Sequence, residues 1–418
     1  NHNNDWWPWE QAGHILQGHV SGQACNWWNL DTALQDLDVA AELGTNAHRL
    51  SVEWSRIEPE PSVFSTAALD QYRALLEGMH GRGIEPMVTL HHFTNPQWLV
   101  EKGDFSSELV VEYFERYTRK VVEALGDLVP KWVTINEPMV YFNMRHLDKV
   151  FPQPPRPTGL WAGLGDVYHM WQCHAAAYHA IKAQQPQAQV GVAKNFPYFA
   201  PQNPRNPLDV WQARLLWRYF NDSWMQAMVT GRATRPFGRG SIKGLKDSFD
   251  FVGINYYSRY FVRFPKLGTA EWPEGTRLSD GNYGESYPEG LFQVIKYATQ
   301  FNKPIYITEN GVPDRKDTMR PAYLLSHLRQ VWQAVCFNFP VMGYYHWSLI
   351  DNFEWERGWT QRFGLIEMDP ETQVRQLRPS GRLYGEICRN YQINTTMVEK
   401  YAIKLLPQLF PGEAPASM

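Results

Sequence analysis

Hydrophobic positions along this chain follow two periods in turn. Short runs rich in β-branched and aromatic residues, such as Pro304-Ile-Tyr-Ile-Thr308, are bounded by turn residues and have the length of buried parallel strands. Between them lie longer stretches with apolar residues at helical spacing. In residues 31–43, for example, Leu34, Leu37, Ala40 and Ala41 share one stripe that Gly44 ends. This reading predicts strands over 46–54, 85–92, 131–137, 189–195, 248–257, 304–309 and 341–348. Helices are predicted over 31–43, 66–80, 107–125, 167–184, 210–230, 290–301, 322–339 and 380–391. Strands alternating with amphipathic helices imply a parallel sheet with right-handed crossovers.

A chain of 418 residues suits one (β/α)8 barrel domain spanning 1–418, and nothing resembling a linker, repeat or low-complexity block divides it. Seven strands are predicted rather than eight. Residues 1–28 read as loop, so the missing first strand is expected upstream of Asn1. After residue 393 a tail carries one amphipathic stretch, 398–410, and a Pro-, Gly- and Ala-rich end expected to fray.

Two of the strands end in a carboxylate. Lys131-Trp-Val-Thr-Ile-Asn-Glu-Pro138 places Glu137 at its end, and Lys303-Pro-Ile-Tyr-Ile-Thr-Glu-Asn-Gly311 places Glu309 there. Glutamate is poor strand material and costly to bury, and the carboxyl ends of barrel strands are where catalysis is sited. A structural ion pair is the alternative for each. One barrel closing both strands lets the acids face each other across a pocket, the arrangement that glycoside hydrolysis requires.

Composition narrows the setting. A formal net charge of −3 leaves no basic surplus for nucleic acid or an anionic membrane, and no run of about 18 apolar residues is present to span one. The four cysteines, Cys25, Cys173, Cys336 and Cys388, show no paired spacing, which points to a reducing, cytoplasmic setting. Sequons at Asn221 and Asn394 are short enough to arise by chance. Aromatic residues make up 14% of the chain, with 18 Trp, and flat rings with polar edges suit sugars as well as an aromatic core.

The pentapeptides Thr134-Ile-Asn-Glu-Pro138 and Ile307-Thr-Glu-Asn-Gly311, in this order and at strand ends, resemble the two signature strands of family 1 glycoside hydrolases, the β-glucosidase and β-galactosidase family. The similarity runs from Asn4 to about Arg389. It implies a retaining β-glycosidase acting on small glycosides or oligosaccharides, without metal or organic cofactor. Glu309 would be the nucleophile and Glu137 the acid/base, with Asn136 holding the sugar 2-hydroxyl. Arg49, Asn255 and Tyr257 would support the nucleophile, with Arg49 keeping it ionised and the charge of Glu309 raising the pKa of Glu137.

His92, Trp347, Glu354, Trp355 and Phe363 match the glycone pocket, Trp347 as the platform under the ring and Glu354 as acceptor for the hydroxyls at C4 and C6. Relatives that take 6-phosphorylated sugars replace this glutamate, so Glu354 implies an unphosphorylated glycone. It does not choose among glucose, galactose and fucose.

Other polar residues have plainer readings. His91 and His92 lack a third ligand at metal-binding spacing; Glu53 and Glu58 read as ion pairs, either on the surface or supporting the site, and Trp28 as packing. The family also carries a glycone-binding glutamine on its first strand, and neither is present here. The rival reading is a sugar-binding or scaffold protein that kept the fold and lost turnover.

Overall fold

The computed structural model describes residues 1–148, 150, 153–154, 159–266 and 268–412. Seven parallel strands form one sheet in chain order: β1 (Ala47–Ser51), β2 (Glu85–His91), β3 (Lys131–Asn136), β4 (Gln189–Asn195), β5 (Phe251–Tyr256), β6 (Ile305–Asn310) and β7 (Val341–His346). Helix Leu30–Glu42 precedes β1, and helices cross between successive strands, including Thr66–His80, Val110–Leu125, Leu160–Gln184 and Arg320–Cys336. This is the TIM-barrel architecture expected from the alternating pattern.

The core has two layers because strand side chains alternate between faces. Met87, Val133, Ala193, Phe251, Tyr306 and Tyr345 form a single cluster with one member from each of β2 to β7, an arrangement that closes only inside the barrel. Val88, Leu90, Trp132, Val190, Val252 and Ile307 belong to the outer core against the helices.

The sheet does not close by hydrogen bonds. β1 and β7 are its two ends, and a cavity of about 500 Å³ lies between them, walled by His48, Leu50 and Tyr345 and reaching Trp347 and Trp355. An eighth strand would pair in this gap.

Several elements differ from their predicted extents. Residues 1–28, read as loop, contain the short helix Trp6–Gln11, whose Trp6 and Trp9 pack with Ile15, Phe353 and Trp355. Six residues are too few to display a period. The predicted helix over 210–230 is two helices, Pro207–Trp217 and Ser223–Thr230, joined through a π-helical turn. Beyond the ends of β4 and β5, Tyr198–Pro201 pairs with Arg259–Val262 in a parallel ribbon. The amphipathic tail docks through Met397, Val398 and Leu406 onto Leu325 and Leu383, while residues 413–418, the end expected to fray, lie outside the described residues. The four cysteines are unpaired, and Asn221 of the first sequon is buried.

Candidate active site

Glu309 stands on β6 one residue before the strand ends, and two constraints fix its position. Asn310 donates to Tyr256 O (2.6 Å) and Tyr323 Oη (2.8 Å) and accepts from Tyr344 Oη (2.8 Å). Gly311 follows because nothing larger fits: a Cβ there would lie 1.8 Å from the carbonyl oxygen of Trp347. The backbone of Trp347 returns a hydrogen bond to Asn310 O at 3.0 Å, coupling the ends of β6 and β7.

Glu137 leaves β3 in the left-handed conformation, φ 46°, with its N–H on Ala193 O at 2.7 Å. A non-glycine residue held there is strained, and such strain concentrates at functional positions. Pro138 then starts helix Pro138–His146, which suits a residue with no N–H to satisfy. The helix is pinned from below by buried Arg145, paired with Asp104.

The two acids sit in opposite surroundings. Arg49 Nη1 lies 2.5 Å from Glu309 Oε1, and the Tyr257 hydroxyl donates to Oε2, so both oxygens face donors, one of them a cation. Glu137 meets only amides: Asn255 Nδ2 at 2.8 Å and Asn195 Nδ2 at 3.3 Å. Burial pushes its pKa up to about 8, and the nearby negative charge of Glu309 adds to the shift. Burial therefore outranks the charged neighbour, the one cause expected from the sequence.

A shared hydrogen-bond chain sets the orientations. Thr308 Oγ1 donates to Asn255 Oδ1 (2.6 Å), which turns the amide nitrogen toward Glu137 and Asn136 Oδ1 (3.2 Å). Asn255, expected beside the nucleophile, thus bonds the other acid, although it is in register with Glu309 across β5 and β6. Arg49 Nη2 also donates to Asn136 Oδ1 (2.7 Å), and its Nε to Thr89 (3.0 Å). With its oxygen occupied twice, Asn136 keeps a buried Nδ2 without a partner, a donor available to a hydroxyl.

The expected glycone residues gather beside this pair. The His92 ring lies 6.1 Å from Trp347 and 5.5 Å from Trp355, with Nδ1 at 3.0 Å from Ser51 Oγ. Burial and the cation of Arg49 hold His92 well below its ordinary pKa, so it is neutral. Glu354 presents a buried Oε2 without a partner; burial, with the neighbouring charge of Glu356, raises its pKa to about 8. Phe363 is fully enclosed behind Tyr257 and Tyr283, at 6.0 and 5.2 Å.

His91 bonds Asn95 (3.1 Å) among Phe105 and Tyr141. Glu58 is buried in the expected ion pair with Arg116, whereas Glu53, also expected in an ion pair, instead accepts from the hydroxyl of Thr94 (2.8 Å); Trp28 lies under the guanidinium of Arg56. Asn195, Tyr283 and Glu356 escaped the sequence reading. Asn195 had the same signal as Glu309, a polar residue at the end of an apolar strand.

The sequence matches the glycosyl hydrolase family 1 profile over residues 3–393. It is 29% identical to β-glucosidase A of Thermotoga maritima over 90% of each chain. A β-galactosidase of Sulfolobus acidocaldarius is 30% identical over 93% of this chain and 90% of its own. The structure superposes on a β-glycosidase from Pyrococcus horikoshii with TM-score 0.88 and 34% identity, covering 96% of this chain and 93% of the other. It superposes on a Thermotoga maritima β-glucosidase in complex with glucoimidazole with TM-score 0.86 and 28% identity, covering 94% and 93%. With a barrel of this topology and two acids at the ends of its third and sixth strands, the chain belongs to glycosyl hydrolase family 1.

Proposed function

We propose that the enzyme hydrolyses terminal, unphosphorylated β-D-glucosides, galactosides or fucosides by double displacement, with Glu309 as nucleophile and Glu137 as acid/base. The observation that carries this assignment is the asymmetry between the acids. Glu309 lies between a guanidinium and a phenol, and Glu137 is held by neutral amides with its pKa pushed up to about 8. A protonated carboxyl beside an ionised one is the starting state that retention needs.

In the first step Glu137 gives its proton to the leaving oxygen while Glu309 attacks the anomeric carbon. In the second, Glu137 takes a proton from the water that displaces the sugar. The free Nδ2 of Asn136 supports a role on the 2-hydroxyl, and the free Oε2 of Glu354 a role in bonding sugar hydroxyls. The neutral ring of His92 beside Trp347 and Trp355 completes the glycone wall. Phe363 supports this wall from behind through Tyr257 and Tyr283. Residues 1–418 act as one catalytic unit in a reducing, cytoplasmic setting, a reading that the widely spaced cysteines support.

The test is an aryl β-glycoside assay followed by NMR of the sugar first released. Phenol release with a β-configured product is expected. An α-configured first product would refute retention, and no release would favour the binding-protein reading.

A further inference from the structure

Helix Pro207–Trp217 turns an apolar stripe toward solvent. Asp209, Gln212 and Ala213 face inward, whereas Leu208, Trp211 and Leu215 are 48%, 55% and 48% exposed. Their spacing of three and four residues puts them on one face. The loop after the Arg259–Val262 strand is fixed along one side of the helix: Asp209 accepts from the N–H of Phe264 (3.0 Å), and Gln212 donates to Lys266 O (2.5 Å). Phe264, itself 41% exposed, extends the stripe. An exposed apolar patch of this kind marks a contact surface.

Cations flank the stripe on both sides. Arg214 stands between Trp211 and Leu215 on the helix, Arg218 just past its end, Arg205 ahead of it, and Arg263 and Lys266 on the loop; all are exposed. Among the described residues none of the four arginines has an ion-pair partner, and Lys266 is 3.8 Å from Glu271. Whole-chain charge conceals this cluster, because the net −3 averages a local excess of positive charge over the entire surface.

We infer that this face docks on an anionic lipid surface, with Leu208, Trp211, Leu215 and Phe264 entering the headgroup region and the arginines meeting lipid phosphates. Amphipathic helices bind interfaces through this pairing of an aromatic-aliphatic face with flanking Lys and Arg. A second copy of the chain fits worse. A two-fold contact joins a patch to itself, so a surface where cations outnumber the single acid paired with Lys266, Glu271, would face the same excess of positive charge. The helix stands next to the Tyr198–Pro201 ribbon beyond the ends of β4 and β5, on the catalytic side of the barrel. Docking therefore holds the mouth of the barrel close to the surface.

The test is co-sedimentation of the full chain with vesicles of phosphatidylcholine containing phosphatidylglycerol and with phosphatidylcholine alone, at low and high salt. Binding is expected to the anionic vesicles only and to weaken with salt. The double variant Arg214→Gln/Arg218→Gln should bind about 30-fold more weakly, at about 1 kcal/mol per cation. Trp211→Ser/Leu215→Ser should also lose binding, and both variants should keep wild-type kcat/KM on a soluble aryl glycoside. Equal binding to both vesicle types, or wild-type binding by both variants, overturns the inference. So does a dimer in light scattering that Trp211→Ser/Leu215→Ser dissociates, which would make the face a self-association surface.

Discussion

Replacing Glu137 with glutamine tests the assignment of the acid most directly. The amide keeps the size of the side chain and an oxygen for Asn255 Nδ2 at 2.8 Å and Asn195 Nδ2 at 3.3 Å, so the local structure should hold. What disappears is the proton. With a pKa of about 8, Glu137 is about 90% protonated at pH 7, so wild-type enzyme enters the first step with its acid in place. General acid help is worth about 10²–10⁴-fold, or roughly 3–5 kcal/mol of barrier.

That loss should fall on substrates whose leaving group is a sugar or alkyl alcohol. A dinitrophenyl glycoside, whose leaving group departs as a stable anion, should keep a near wild-type first step. Its second step should slow, because the base is gone as well. Pre-steady-state kinetics should therefore show a burst of phenol followed by slow turnover. In wild type, kcat/KM on the unactivated substrate should fall as pH rises through about 8, and the Gln variant should lack this limb on the activated substrate. Equal losses on both substrates, with no burst, would refute the role given to Glu137.

Glu309→Gly should abolish hydrolysis yet recover release of an activated leaving group when azide or formate is added, with a product of inverted configuration; a retained product would mean that the wrong carboxylate has been assigned. Asp5, Glu354 and Glu356 are held by burial at pKa values of about 7, 8 and 7, above those of free carboxyls. A raised folded pKa contributes stability below the unfolded value and loses it as pH rises through the folded one, so the melting temperature should fall between about pH 5 and 9. Glu354→Gln should flatten that fall by an amount on the order of a few kcal/mol, and an unchanged slope in thermal melts would count against it. Gly311→Ala should cost about 1–3 kcal/mol and lower kcat, since the backbone of Trp347 must retreat from a Cβ 1.8 Å away; wild-type melting and kcat would show that the approach is not required.

The parts of the fold legible in the sequence were those set by long periodic segments. All seven barrel strands stand where the apolar runs place them; β2 to β6 are buried along nearly their whole length, whereas β1 and β7, at the ends of the sheet, are only partly buried. Helix Trp6–Gln11 and the Tyr198–Pro201 ribbon were invisible, since neither is long enough to establish a period. Glu137 and Glu309 were legible because a carboxylate ending an apolar strand has no cheap structural reason to be there. The direction in which Asn255 points was not, because it depends on a hydrogen bond from Thr308 on the adjacent strand. Nor could the sequence rank burial above charge for Glu137, since the degree of burial is a property of the whole barrel.

That ranking bears on how Glu137 would serve as acid and then as base in the proposed reaction. Before reaction, burial and the charge of Glu309 both favour the protonated form of Glu137. Once Glu309 is esterified to the sugar its charge is gone, and the second contribution goes with it. Burial is the larger contribution, so the pKa of Glu137 would descend only part of the way and Glu137 would remain a moderately strong base when water arrives. A residue shifted mainly by charge would fall nearly to the value of a free carboxyl and become a weak base. The amides of Asn255 and Asn195 work in the same direction in both steps: they accommodate the ionised form without supplying a cation that would hold it there. Arg49 lies on β1, at the open end of the sheet, yet it is held to β2, β3 and β6 through Thr89, Asn136 and Glu309. The charge that separates the two acids is thus fixed by side chains across the barrel rather than by strand pairing at its edge.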